Sequence, residues 1–193
     1  MLQVKKMSGW RVVWAMAAVL AVAVVAQGQS TYSASGVGPS LFVGAEYANL
    51  QAGFPINSDT RLGGVGGFVN YNWNHSIGME ARARFLNFGS WYGETQQDYL
   101  VGPRYTFLHS NTWHPYAIFS VGLVKIQYPF SMGNGTSFAM APGGGLEYRM
   151  SHKIHLRAGY EYQMLTNSPD FTDEPKFGIR PSGFTAGVSY RIF

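Results

Sequence analysis

The sequence predicts an all-β protein: an eight-stranded antiparallel up-and-down transmembrane β-barrel. Three observations predict this fold. Only 12% of the 193 residues are charged, about half of what soluble domains carry, yet the mean hydropathy is close to zero. From Ser40 onward apolar and polar residues alternate with period two, which averages to neutrality because each strand has one apolar and one polar face. Finally, the connections between strands alternate between long and short.

Each predicted strand is a run of alternating residues bounded by Gly, Pro, Asn, Asp or Ser. The strands cover residues 40–50, 61–73, 76–86, 95–107, 114–126, 137–149, 153–165 and 182–192. A ten-residue strand tilted by about 40° rises roughly 25 Å, which matches the apolar band of an outer membrane. Pro103 and Pro142 fall inside strands, and since each adjoins a glycine they predict β-bulges.

The connections favour a membrane barrel over a soluble sandwich. Three are short, at residues 74–75, 108–112 and 150–152, and four are long, at residues 51–60, 87–94, 127–136 and 166–181. Outer-membrane barrels have short turns on the periplasmic side and long loops outside. A soluble sandwich has no reason to keep this order. Six aromatic residues are expected near strand ends as an interfacial girdle: Tyr47, Tyr71, Trp73, Tyr105, Tyr148 and Tyr190.

The polar faces of the strands predict a charged lumen. Successive side chains of a strand point to opposite sides, and the acids and arginines share faces with glycines. In the fifth strand, whose faces are ambiguous, we favour Ala117, Phe119, Val121 and Leu123 as the outward set. The expected lumen set is five acids and six arginines: Glu46, Glu80, Asp98, Glu147, Glu161, Arg82, Arg84, Arg104, Arg149, Arg157 and Arg191.

Two interpretations of this charged set stay open. It could line an ion-selective pathway, or it could be a structural network that fills the lumen. Eight strands leave an interior only wide enough for side chains, and the signs nearly balance, so the structural network is favoured. Glu80 would then pair with an arginine such as Arg82 or Arg84.

The N-terminal residues have the pattern of a cleavable signal peptide. Lys5, Lys6 and Arg11 precede an apolar stretch over residues 12–25, which is shorter than the roughly 20 residues of a spanning helix. Cleavage is expected after Ala26, or alternatively after Gly28. The predicted organisation is therefore a signal peptide at 1–26, a flexible lead-in at 27–39 and the barrel domain at 40–193. Without the leader, eleven basic residues face ten acidic ones, so no nucleic-acid partner is indicated.

Three short stretches carry a family resemblance. Val101–Tyr105, Gly143–Tyr148 and Ala158–Tyr162 resemble the outer membrane protein β-barrel family, the OmpA-like eight-stranded domains, and the likeness covers about residues 40–193. It implies residence in the bacterial cell outer membrane, with contacts to outer-membrane lipids and lipopolysaccharide. No peptidoglycan-binding domain is expected after the barrel, and we expect a monomer.

The last residues look like the terminal signal that the outer-membrane assembly machinery reads. In this resemblance Tyr190, Ile192 and Phe193 carry the signal, although the outward-facing set ends at Ile192 and leaves Phe193 one residue out of phase.

The sequence indicates no catalytic, cofactor or metal site. His155 is expected to point inward, and the other four histidines fall at or near short turns without convergent partners: His75, His109, His114 and His152. Two Ser–His pairs, at residues 109–110 and 151–152, invite comparison with lipid-A-modifying barrels, but both lie on the predicted periplasmic side without an adjacent orienting acid.

A non-enzymatic role is therefore expected, structural or in surface interaction. The predicted loops hold aromatic residues and acids at residues 89–93 and 171–177, which suit membrane integrity or adhesion to a surface ligand. A narrow porin-like channel for ions or small solutes is the alternative, and a lipid-A-modifying enzyme is a third hypothesis.

Overall fold

A computed structural model describes residues 38–51, 61–88, 95–107, 112–127, 134–166 and 180–193 of the chain. The predicted signal peptide (1–26), nearly all of the predicted lead-in (27–39), most of each predicted long loop and the pair at 109–110 lie outside the described residues. No helix in the described part of the chain is long and apolar enough to cross a membrane.

Strands make up almost all of the described chain. Their bounds are β1 Ser40–Gln51, β2 Arg61–Asn72, β3 Ile77–Phe88, β4 Thr95–Thr106, β5 Trp113–Gln127, β6 Asn134–Arg149, β7 Ile154–Tyr162, β8 Met164–Thr166 and β9 Ser182–Arg191. The bounds differ from the predicted ones by at most three residues, except where the seventh predicted strand is broken at Gln163 into β7 and β8.

The strands close into one antiparallel barrel. Neighbours in sequence pair from β1 to β7, β9 pairs with β7, and β9 also pairs with β1. Both β7 and β8 pair with β6 in one register, so together they count as a single interrupted strand. The predicted eight-stranded antiparallel barrel is confirmed.

The two strand prolines do not produce the predicted bulges. On β4 the register with β5 continues unchanged from Val101 to Arg104, and only the rungs at Gly102 and Pro103 are lost. Pro142 keeps its register with β5 and lies at the level where β7 breaks off. A proline lacks the backbone N–H donor. At these two positions some hydrogen bonds between strands are therefore lost, but no extra residue is inserted as it would be in a β-bulge. The register instead shifts between Gly63 and Gly64.

The predicted long–short alternation of connections holds only in part. The first and last connections, 52–60 and 167–181, are long, and 73–76 and 150–153 are short. The three central connections, 89–94, 107–112 and 128–133, each span six residues. The difference arises because β3 and β6 extend further than predicted, to Phe88 and from Asn134.

The outer surface of the barrel is apolar. Large apolar side chains alternate outward on every long strand, including Phe119 and Leu123 of β5, and the favoured outward set of that strand is correct. Aromatic rings cluster near the short-turn end, with edge or tilted contacts that join Tyr71 to Trp73, Tyr105 to Phe107 and Trp113 to Tyr148. Tyr47, expected in this girdle, instead lies within β1, opposite Val65 and Ala186.

Candidate functional site

The lumen contains two chemically different regions. Near the long-loop end lies an apolar cap, formed by Ala48, Leu50, Leu62, Leu86, Leu100, Val124, Ile126, Ala139, Ala141 and Leu165. The rest is dominated by an ionic network, formed by Glu46, Glu80, Arg82, Arg84, Asp98, Arg104, Glu147, Arg157 and Glu161. All of these side chains are buried, so the described strands enclose a filled interior.

The apolar cap is built from strand ends. Leu50, Leu62, Leu86, Ile126 and Leu165 each lie within two residues of the long-loop end of their strand, and they point inward in phase with the charged residues below. Sequence reasoning missed this region because it expected polar inward faces along the whole barrel. The sequence signal for the cap is that these leucines and isoleucine fall at the same alternating positions as the inward-facing charged residues.

Arg84 of β3 is the centre of the upper part of the network, which is the part nearer the apolar cap. Its Nη2 lies 2.5 Å from Glu161 Oε1 and 3.1 Å from Asp98 Oδ2, and its Nε lies 3.8 Å from Glu46 Oε1. The guanidinium and the carboxylates of Asp98 and Glu46 are fully buried. One cation therefore bridges acids from three other strands, which is the pairing that buried charges require.

Two glutamines complete the upper part. Gln163, at the break between β7 and β8, donates from Nε2 to Asp98 Oδ2 at 2.9 Å and to Glu161 Oε1 at 2.8 Å. Gln96 donates to Gln163 Oε1 at 3.0 Å and to Asp98 Oδ1 at 2.7 Å. The two acids thus keep hydrogen bonds that the single guanidinium of Arg84 cannot supply.

Arg157 of β7 is the centre of the lower part of the network, which lies further from the apolar cap. It donates two hydrogen bonds to Glu80, Nη1 to Oε2 and Nη2 to Oε1, each at 3.0 Å. Its Nη2 also lies 3.2 Å from Glu46 Oε2, and its guanidinium lies 3.9 Å from the centre of the Phe68 ring. The fork-to-fork pair is charge-assisted and bidentate, which makes it a strong interaction, and the Phe68 ring adds a cation–π contact.

Glu80 pairs across the lumen, and the expectation that its partner is Arg82 or Arg84 is wrong. Those arginines share the inward face of β3 with Glu80 but pair instead with Glu161, at 2.6 Å from Arg82 Nη1 and 2.5 Å from Arg84 Nη2. Arg82 also donates to Ser120 Oγ at 2.9 Å. Residues two apart on a strand stand side by side, so an opposing strand offers better-aligned partners.

A third group lies nearer the short-turn end. Arg104 Nη2 is 2.6 Å from Glu147 Oε2, and its guanidinium lies 4.2 Å from the centre of the Tyr116 ring. The rings of His114 and His155 are stacked with centroids 6.1 Å apart. His155 is buried, as expected for an inward residue.

Two predicted lumen residues stay outside the buried network. Arg149 and Arg191 are half-buried near the short-turn end of β6 and β9, and Arg191 Nε donates to the main-chain oxygen of Phe193 at 3.1 Å. The buried network therefore holds five acids and four arginines. The predicted set of five acids and six arginines included Arg149 and Arg191, which the structure places at the short-turn opening of the lumen, outside the buried network.

Glycine makes room for this crowding. A Cβ on Gly66 would approach Arg84 Cγ to 2.5 Å and the Ala83 carbonyl oxygen to 2.4 Å, and a Cβ on Gly44 would collide with the Phe68 ring. Phe68 is the ring under Arg157, so the two glycines give space to the arginines at the centre of both parts of the network. This use differs from a phosphate-binding loop.

The terminal residues continue the barrel wall. Leu41 N donates to the Phe193 main-chain oxygen, and Ile192 N donates to the Leu41 carbonyl oxygen at 2.8 Å. Tyr190 and Ile192 are exposed on the outer face, and Phe193 is half-buried. Among the described residues no group of three or more His, Asp or Glu side chains is placed to hold a metal ion.

The closed barrel with an apolar exterior and a filled lumen is that of a small transmembrane outer-membrane protein. The sequence matches the outer membrane protein beta-barrel domain family over residues 15–191, and the chain belongs to this family. It is accordingly a protein of the bacterial outer membrane. A comparison with curated proteins found no match.

Solved structures of the same fold are similar at low sequence identity. Neisserial surface protein A matches with a TM-score of 0.57 and 17% identity, covering 79% of this chain and 98% of that chain. Ail, the attachment invasion locus protein of Yersinia pestis, gives 0.52 and 17%, covering 81% and 99%. The N-terminal β-barrel domain of Pseudomonas aeruginosa OprF gives 0.53 and 15%, covering 78% and 97%. These likenesses support the fold.

Proposed function

We propose that this protein is a closed, non-conducting outer-membrane barrel with a structural or surface-interaction role and no enzymatic activity. The single observation that carries the proposal is the filling of the lumen in two layers, the apolar cap and the ionic network. In this proposal the leader at 1–26 directs export, and Tyr190, Ile192 and Phe193 form the assembly signal.

Each layer opposes ion passage by a different mechanism. The apolar cap presents Leu50, Leu62, Leu86 and other buried apolar side chains, which offer no polar group to replace the water around an ion. Below it, the carboxylates of Glu161 and Glu80 are already held by Arg84 and Arg157 at hydrogen-bond distance. A permeating ion would have to displace both layers.

Single-channel recording on purified protein tests the closed lumen. We expect no openings above those of a protein-free bilayer at either polarity. A matched positive control is the variant Leu50→Ala/Leu86→Ala/Glu80→Ala, which removes bulk from the cap and one acid from the network. Stable, frequent openings of the wild type would reject the proposal and favour the porin-like channel.

A deletion strain separates the two roles that a closed barrel can have. If the role is structural, deletion sensitises cells to detergent, and a variant with Trp91→Ser and Tyr92→Ser in the 89–93 loop restores resistance as well as the wild type does. If the role is surface contact, the loop variant fails to restore binding of cells to a surface. Altered lipid A masses in the deletion strain would point instead to the enzymatic hypothesis.

A further inference from the structure

The two ends of the barrel differ in charge. All five histidines of the chain lie in the short-turn connections or at the second position of β5 and β7, and Arg149, Lys153 and Arg191 lie at the same end. Among the described residues the one acid near this end is Glu147, and Arg104 already holds it at 2.6 Å. The five acids of the chain that are not in the lumen network all fall in connections at the other end. The end that faces the periplasm therefore carries cations with little negative charge beside them.

Within the part of the chain that the structure describes, the lumen is accessible at this end only. Inward side chains near the long-loop end, such as Leu50 and Leu86 of the apolar cap, are fully buried. Inward side chains near the short-turn end are instead half-buried: Phe42, Asn72, Thr106, His114, Arg149 and Arg191. These six residues line a shallow cup that opens on the periplasmic side, here called the periplasmic cup.

Two arginines point into the periplasmic cup from strands that lie close together. Arg149 of β6 lies opposite His155 of β7, which in turn lies opposite Ser189 of β9. Arg191 follows Ser189 by two residues and has the same inward phase. With a strand spacing of about 4.8 Å and a rise of about 3.4 Å per residue, the Cα atoms of the two arginines are roughly 12 Å apart. Inward side chains of a closed barrel point toward its axis, so both guanidinium groups can reach one small ligand.

The guanidinium groups have few partners of their own. That of Arg149 makes no hydrogen bond and no ion pair with any described residue. Arg191 uses its Nε for the main-chain oxygen of Phe193, at 3.1 Å. His155 is buried and packs its ring against Phe42, with centroids 4.8 Å apart. Partial burial removes water from a charge, so an arginine at such a position is stabilised by an anion.

We propose that the periplasmic cup binds a phosphoryl group through Arg149 and Arg191. The planar fork of arginine matches phosphate geometry and binds it with two parallel hydrogen bonds. A phosphate monoester carries close to two negative charges at pH 7, which two guanidinium groups balance. Both arginines point into the lumen, whereas the lipid headgroups of the inner leaflet lie against the outside of the wall. The ligand is therefore a soluble phosphate or phosphate monoester, and the inference does not depend on the role proposed above.

Isothermal titration calorimetry on the purified, folded protein in a zwitterionic detergent tests the site. The probes are inorganic phosphate, glycerol 3-phosphate, short-chain phosphatidylglycerol and acetate, all at one ionic strength. The variant Arg149→Gln/Arg191→Gln removes both guanidinium groups from the cup. Its matched control, Arg61→Gln/Lys125→Gln, removes two exposed cations from the long-loop end. A folded band on an unboiled gel shows that each variant is still a closed barrel.

We expect saturable binding of both soluble phosphates, with acetate and the double variant each about tenfold weaker or more. The long-loop control should bind as the wild type does. Arg149→Lys keeps the charge but loses the fork, so its affinity should be intermediate. Absence of saturable phosphate binding, an unchanged affinity in the double variant, an equal loss in the long-loop control or equal affinity for acetate would overturn the inference. Tighter binding of the phosphatidylglycerol than of glycerol 3-phosphate would also overturn it, in favour of a membrane lipid.

Discussion

The apolar cap and the ionic network occupy the same lumen and obey different rules. The cap is stabilised by removal of apolar surface from water, which is non-directional and depends on area. The network depends on particular partners at particular distances, such as Arg157 on Glu80 and Arg84 on Glu161. A residue of the cap can be replaced by another of similar volume, whereas a residue of the network cannot change without its partner.

Loss of one network partner should have the largest effect. Glu80→Ala leaves the buried Arg157 with Glu46, at 3.2 Å, as its one ion-pair partner among the described residues. We expect the free energy of unfolding to fall by about 3–5 kcal/mol, because a buried charge loses its compensation. Urea titration in lipid vesicles measures it. Arg149→Ala is the control, since this side chain is only half-buried and lies outside the buried network. A cost of Glu80→Ala no larger than that of the control would contradict the distinction between the buried network and the residues at its short-turn opening.

Truncation in the cap should cost slightly less. Leu86→Ala creates a cavity among fully buried neighbours and should lower the free energy of unfolding by about 3 kcal/mol. Urea titration in lipid vesicles again measures the free energy of unfolding. Leu156→Ala, on the lipid-facing side of β7, is the control and should cost much less because lipid chains fill the space. Equal losses for the two leucines would mean that the cap is not tightly packed.

A smaller loss is expected at Gln163, which joins the upper network at the strand break. Gln163→Met preserves length and removes the donor shared by Asp98 and Glu161. Hydrogen bonds to charged groups contribute about 1.5–3 kcal/mol, so a loss of about 2 kcal/mol is expected. Gln97→Met on the outer face of β4 serves as the control. If both variants unfold at the same urea concentration as the wild type, Gln163 is not part of the stabilising network.

The smallest effect expected is the coupling between the two layers. Glu80 and Leu86 are six residues apart on β3, about 20 Å along the strand. In a double-mutant cycle of Glu80→Ala and Leu86→Ala the interaction energy should stay below about 0.5 kcal/mol. The Glu80→Ala/Arg157→Ala cycle should by contrast give a large coupling. Strong coupling between Glu80 and Leu86 would show that cap and network behave as one unit.

Much of the wall was predictable from the sequence because its signals are local. Alternation within β3, from Ile77 to Phe85, is enough to assign both the strand and its two faces. Strand bounds were less accurate where turn residues and strand residues mix, as at the start of β6 in Asn134–Thr136. The break at Gln163 was not predicted, because the missing rungs depend on where Pro142 falls on the neighbouring strand.

The pairing inside the lumen was not predictable in the same way. Glu80 and Arg157 are 77 residues apart, and their meeting depends on barrel closure and on the relative height of β3 and β7. No period within one strand contains that information. The apolar cap does have a signal within single strands, since Leu50 and Leu62 are in phase with Glu46 and Gly66.

The position of the central ion pairs has a kinetic consequence. β3 and β7 lie on opposite sides of the ring, with three strands between them in either direction, so the pairs Arg84–Glu161 and Arg157–Glu80 cross the lumen and their geometry depends on a closed ring. Contacts absent from the transition state affect the rate of unfolding and leave the rate of folding unchanged. We expect these cross-lumen pairs to form after the transition state for folding, so their loss should shorten the lifetime of the folded protein without slowing its insertion.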